Sequence, residues 1–193
     1  MNICVFSSSS NAIADIYVKD AIELAQLIGQ SGFCLINGGS NVGTMDVITR
    51  EANKNGAKTI GIIPEKLRDF NLASDHAHEI IVSGDMMERK YEMREMADAF
   101  IALAGGFGTL EEILEVITLK QLGYHHKAIV FINSNGFYDD LFRQFEKSFD
   151  EKFAKESYRR LYHIANNAHE AMEYIKNYQP EETVNKWFEV PKR

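Results

Sequence analysis

The sequence predicts an α/β fold, a doubly wound parallel sheet with helices on both faces, and three observations predict it. Short runs rich in β-branched and aromatic residues alternate with longer segments of helical period. The intervening segments are long enough to be crossovers, which parallel strands require and which stack helices on the sheet. The loops that leave the strand-like runs are small and polar, as ligand-binding loops at strand carboxyl ends are.

The first run, ICVFS at 3–7, reads as a strand and leads to a helix from about Ile13 to Gln30. FCLIN at 33–37 is the second strand, followed by a helix from about Met45 to Asn55. KTIGIIP at 58–64 is the third, closed by Pro64, and the polar stretch 65–78 reads as a loop or irregular excursion. EIIVS at 79–83 resumes the alternation, with a helix from about Asp85 to Asp98, then AFIALA at 99–104 and a helix from about Leu110 to Leu122. KAIVFIN at 127–133 precedes a helix from about Tyr138 to Lys152. LYHIA at 161–165 offers a seventh strand, and a helix spans about Ala168 to Tyr178. With no repeat, low-complexity tract or linker, the chain reads as one Rossmann-like domain over 1–193, with 179–193 an appended tail.

Composition narrows the function classes. At 193 residues, 45% hydrophobic and 25% charged, the chain has the make-up of an ordinary globular domain and needs no staples. A net charge of -7 argues against a nucleic-acid partner, which needs clustered Lys and Arg. Cys4 and Cys34 lie in apolar runs and read as buried free thiols. Neither they nor the six histidines show metal-ligand spacing, so no metal or other cofactor is expected. The amino terminus lacks a basic n-region, and no apolar segment approaches the roughly 18 residues that span a bilayer. A cytoplasmic protein without a membrane partner is the expectation.

Four loops should converge on one sheet edge: SSSSN at 7–11, NGGSNVG at 37–43, SGDMMERK at 83–90 and AGGFGT at 104–109. The last is the most informative. Glycines let a ligand approach the backbone, and the helix that follows offers unpaired N–H groups at its positive end. Gly105, Gly106 and Gly108 would shape a phosphate-binding turn, and Thr109 would add a hydroxyl. No GK[ST] follows, so this is not the P-loop, and SSSSN lacks the glycine spacing of a dinucleotide fingerprint. Two plainer readings stand beside the chemical one. TLEE at 109–112 is also a capping box, in which Glu112 reaches back to the first N–H of the helix. Arg89 has Asp85 at i,i-4, an ordinary exposed ion pair. The methionines at 86, 87, 93 and 96 fit core packing.

MMERK at 86–90 together with AGGFGTLEEILEVITLKQLG at 104–123 resembles the LOG family, cytokinin riboside 5'-monophosphate phosphoribohydrolases often mislabelled lysine decarboxylases. That family carries an MHxRK-like segment and PGGxGTxxE, and GIIPEKL at 61–67 is similar to another family segment. The resemblance runs from residue 2 to about residue 150. It implies hydrolysis of a nucleoside 5'-monophosphate to free base and ribose 5-phosphate, with Arg89 and Glu112 catalytic. It places Gly105, Gly106, Gly108 and Thr109 on the 5'-phosphate, with Ser9, Gly39, Met86 and Lys90 completing the substrate-binding set. A homodimer with a shared active site is also implied. The sequence departs from the family pattern: Ala104 replaces a proline, Met87 a histidine, SSSS a Cys-Gly-Ser-Ser run, and Ser40 and Asp46 occupy glycine positions. Arg89 and Glu112 are retained.

Cleavage of the N-glycosidic bond passes through an oxocarbenium-like ribosyl centre, beside which a carboxylate stabilises charge or activates water. A non-catalytic nucleotide-binding or carrier module would use the same phosphate loop without needing Arg89 or Glu112. A pyridoxal-phosphate decarboxylase is disfavoured by the short chain and the lack of a recognisable Schiff-base lysine. Independently of the resemblance, the 110–122 helix carries Leu110, Ile113, Leu114 and Ile117 on one stripe and Val116 and Leu119 on another side. A second subunit or a neighbouring helix of the same chain would cover the extra surface.

Overall fold

The computed structural model describes residues 1–180. Seven strands form one sheet: β1 (Asn2–Phe6), β2 (Cys34–Asn37), β3 (Thr59–Pro64), β4 (Glu79–Ser83), β5 (Ala99–Ala102), β6 (Ala128–Ile132) and β7 (His163–Ala165). Their order is β4-β3-β2-β1-β5-β6-β7, and every pairing is parallel. The helices are α1 (Asp15–Gln30), α2 (Gly43–Lys54), α3 (Glu65–Asp69), α4 (Met86–Met96), α5 (Phe107–Gln121), α6 (Asp139–Asp150) and α7 (Ala168–Asn177).

The strand pattern explains the layering. Successive side chains of a strand point to opposite faces, so an apolar run feeds two cores at once. Ile3 and Val5 join the cluster under α1, α2 and α7, while Cys4 and Phe6 join the one under α4, α5 and α6. Each such buried isoleucine or phenylalanine contributes about 1.5–3 kcal/mol relative to exposure. Ile3 pairs with Leu35 on one side and Ala99 on the other, which makes β1 central.

The chain winds outward from β1 to β4 and then returns to lay β5 on the other side of β1. The loops after β1 and β5 therefore lead to helices on opposite faces and open a crevice between them, the place where ligands bind in such sheets.

The structure differs from the sequence expectations in places. The excursion at 65–78 contains a short helix, α3, and is tied to the loop after β2 by the Ser40–Ala73 bridge and by Ser74 N donating to Gly39 O at 2.8 Å. Gly39 has φ +67°, which side chains rarely adopt, and a Cβ there would stand 3.1 Å from the β3 backbone, so glycine suits the close approach of this loop to β3. Cys4 is buried, but Cys34, the first residue of β2, is only partly so; both are free thiols. Helix α5 starts at Phe107, three residues earlier than expected. The expected tail lies outside the described residues from 181 onward. Among the described residues no helix is long and apolar enough to cross a membrane, and no cluster of His, Cys, Asp and Glu could hold a metal ion.

Candidate active site

The four polar loops do converge. A cavity of about 480 Å³ opens at the carboxyl ends of β1, β2 and β5, within the range of small-molecule sites. Ser7 to Ser10 line one wall, Gly106, Gly108 and Thr109 another, and Arg89 and Glu112 a third.

At the β5 side the backbone is built for an anion. Gly106 is the N-cap of α5 and offers no side-chain cap, so the first N–H groups of the helix are left to a ligand. A Cβ on Gly106 or Gly108 would meet nothing within 4 Å, so both glycines present bare backbone to the cavity. Helix α2, whose N-terminus also points this way, differs. Gly43 N donates to Asn11 Oδ1 at 2.8 Å and Met45 N to Ser8 O at 3.2 Å, so its start is occupied by the β1 loop.

Thr109 is the third residue of α5 rather than its cap, which overturns the capping-box reading of TLEE. Glu112 lies one turn further in, too far along the helix to reach its first N–H. Its carboxylate instead accepts from Arg89 Nη1 at 3.1 Å. The exposed-pair reading of Arg89 is likewise overturned. Asp85 caps α4, accepting from Met87 N at 2.8 Å and Glu88 N at 2.9 Å, and this occupies its carboxylate. Arg89 turns inward, is only 6% exposed, and donates from Nε to Ile62 O at 3.0 Å.

This pair is the electrostatic centre of the cavity. Both side chains are under 10% exposed, at 7% and 9%. Burial raises the proton affinity of Glu112, and the Arg89 guanidinium lowers it; burial prevails, so the carboxyl titrates above the ordinary glutamate range. A carboxylate desolvated in this way holds its proton more tightly than an exposed glutamate, the direction that suits a group exchanging protons with substrate or water.

Gly38, which sequence reasoning passed over, makes the pair possible. A Cβ there would lie 1.6 Å from Arg89 Nη2. The signal was the paired glycines of NGGS, which demand a close approach but do not say of what. Leu67 and Leu72, from the excursion read as a polar loop, join Met45 and Met86 as an apolar wall opposite the glycine loop.

The expected residues divide accordingly. Ser9, Met86, Arg89, Gly106, Gly108, Thr109 and Glu112 line the cavity. Gly39, Gly105 and Lys90 are not in its lining. Gly39 is pressed on β3, and a Cβ on Gly105 would stand 2.1 Å from Thr109 Oγ1, so this glycine makes room for the threonine. Lys90 points along the neighbouring surface between α4 and α5, where it pairs with Glu111 and, at 3.0 Å, with Glu115.

Comparisons with known proteins give the family. The family model described as "Possible lysine decarboxylase" matches residues 45–175. The cytokinin riboside 5'-monophosphate phosphoribohydrolase LOG2 of Arabidopsis thaliana is 39% identical over 178 residues, 92% of this chain and 84% of that protein. The chain belongs to the LOG family. Rice LOG, also named a cytokinin riboside 5'-monophosphate phosphoribohydrolase, is 37% identical over 93% of this chain and 74% of its own. Among solved structures, the molybdenum cofactor binding protein of the phototrophic bacterium Rippkaea orientalis has a TM-score of 0.70 at 28% identity, covering 91% of this chain and 94% of that one. The Moco carrier protein of Chlamydomonas reinhardtii, at 23% identity and TM-score 0.68, shares the fold.

Proposed function

We propose that this LOG family member hydrolyses the N-glycosidic bond of a nucleoside 5'-monophosphate, releasing free base and ribose 5-phosphate. The observation that carries the reading is the buried Arg89–Glu112 pair set one helical turn from an uncapped helix N-terminus. The 5'-phosphate sits on the N–H groups at the start of α5, where backbone dipoles favour a dianion. Three residues of helix advance about 4.5 Å from Thr109 to Glu112, which carries the carboxylate from the phosphate toward the ribose. There it stabilises the ribosyl cation as the bond to the base breaks, and takes the proton of the water that adds to the same carbon. The base leaves with the pair of electrons from the broken bond and gains a proton. Arg89 fixes the carboxylate through Nη1 while its own Nε is held by Ile62. No step calls for a metal or an organic cofactor.

A carrier module is the second reading, favoured by the Rippkaea likeness. A pure phosphate site gains nothing from desolvating an arginine and a glutamate together, which costs several kcal/mol per ion before their attraction is counted. A lysine decarboxylase has no support in the cavity, because among the described residues no lysine lines it. Incubating the protein with AMP and N6-substituted AMP in the presence of chelator, with chromatographic identification of products, tests the proposal. Base and ribose 5-phosphate should appear together. Their absence across a broad panel of nucleotides would leave the carrier reading.

The second subunit and a cytoplasmic location belong to the same proposal. The shared site is supported by the resemblance of MMERK and GGFGT to the family motifs and by the exposed apolar residues of α4 beside the cavity.

A further inference from the structure

Ser7 follows β1 directly and is 5% exposed, yet its Oγ has no hydrogen-bond partner among the described residues. A buried hydroxyl left unpaired is disfavoured, and such groups in folded proteins call for an explanation. Ser7 lines the cavity, at the switch point between the two halves of the sheet. Leu103 N donates to Phe6 O at 3.0 Å, which sets Ser7 alongside the first residues of the glycine loop.

Its neighbours are already committed. Ser8 N donates to Thr44 Oγ1 at 3.0 Å, and Ser8 Oγ accepts from Ser10 N at 3.0 Å. Ser7 therefore differs from the rest of the serine run in holding a buried hydroxyl with nothing to bind. The remaining lining is mixed in chemistry: bare backbone at Gly106 and Gly108, apolar side chains of Met45, Leu67 and Leu72, and the Glu112 carboxylate. With the phosphate assigned to the α5 N–H groups and Thr109, the ribose hydroxyls are the substrate groups left for a buried side chain that is donor and acceptor at once.

We propose that Ser7 is a substrate-binding residue whose Oγ hydrogen-bonds a hydroxyl of the ribose. This rests on the phosphoribohydrolase reading and adds a sugar contact to it. Where the family run begins with cysteine, this chain has a serine, so the contact is one that a thiol makes only weakly.

Ribose 5-phosphate is the probe, with 2-deoxyribose 5-phosphate, 3-deoxyribose 5-phosphate and inorganic phosphate as controls, each titrated calorimetrically into the wild type, Ser7→Ala and Ser7→Cys. The wild type should prefer ribose 5-phosphate over one of the deoxy sugars by roughly 2- to 13-fold, the value of one neutral hydrogen bond. Both variants should lose that preference and keep the wild-type affinity for phosphate. The cysteine variant fills the space of the serine, so a shared result excludes a packing effect. An unchanged preference in both variants, with ribose 5-phosphate still bound and AMP still cleaved, would overturn the role of Ser7 alone. Equal weakening toward inorganic phosphate would overturn it too, because the contact would then be to the phosphate or to the loop. A wild type that neither binds ribose 5-phosphate nor cleaves any nucleotide would remove the phosphoribohydrolase reading, and this inference with it.

Discussion

Two influences meet at the Glu112 carboxyl: the loss of water around it, which favours the neutral acid, and the Arg89 guanidinium, which favours the anion. Because the first prevails, the group holds its proton to a higher pH than an exposed glutamate. In the proposed reaction the working form is the carboxylate, present above the pKa and lost as pH falls through it. The acid limb of kcat/KM should therefore bend above the ordinary glutamate value of about 4.3, and Glu112→Gln should remove that limb along with roughly 10² to 10⁴ of the rate. Glutamine still accepts the Nη1 hydrogen bond but leaves the buried guanidinium without its counter-charge, so the substitution should lower stability by no more than about 3–5 kcal/mol. Near-normal turnover of the folded variant would reduce the pair to a structural one. Gly38 gives an independent test of the geometry. In Gly38→Ala the methyl group would occupy the place of Nη2, and the guanidinium, pinned at Nε, cannot retreat without losing Ile62 or Glu112. A displacement of about 1 Å costs on the order of 10² in rate. Steady-state kinetics of Gly38→Ala beside Gly32→Ala, which strains a left-handed backbone position (φ +65°) outside the cavity lining, separate the displaced guanidinium from a general loss of stability.

At the scale of elements, the alternation of apolar runs and helical segments was legible because strands buried on both faces have no polar side to hide them. The start of α5 was not. Gly106 caps it with no side chain, so the sequence carries no capping residue to mark the place, and Thr109 supplied a false one. Short α3 was missed for a related reason, since five residues show no period. Arg89 and Glu112 were each legible through the family motifs, but their contact was not, because the residues are 23 apart and meet only when α4 and α5 pack on one face. The uncapped start of α5 has its own consequence. If it holds the 5'-phosphate, adenosine should be a far poorer substrate than AMP, since several charge-assisted hydrogen bonds of about 1.5–3 kcal/mol each disappear with the phosphate. Equal kcat/KM for the two would show that the loop serves another purpose.

At the scale of the molecule, exposed apolar side chains stand on α4 beside the cavity and also at the start of α5, where Phe107 is 93% exposed. Of the second stripe of α5, Val116 is buried in the same core as Ile113, while Leu119 stays half-buried. On α4, Met87 is 77% exposed and Tyr91 55%, one turn apart on a single face, and Met86 beside them reaches the cavity. A second copy covering this face would also close the cavity, which ties assembly to activity. Light scattering at micromolar concentration should then report about twice the 21.9 kDa of the chain. Stable dimers bury about 800 Å² per partner and depend on a few central side chains, so two charges placed on that face should suffice to split it. Met87→Glu with Tyr91→Glu is the variant of choice, since neither residue belongs to the Arg89–Glu112 pair. It should be monomeric, keep its fold by circular dichroism, and lose at least about 10-fold in kcat/KM if a group from the second subunit helps hold substrate. A monomeric variant with full turnover would separate the dimer from the chemistry, and a wild type that is already monomeric would remove both.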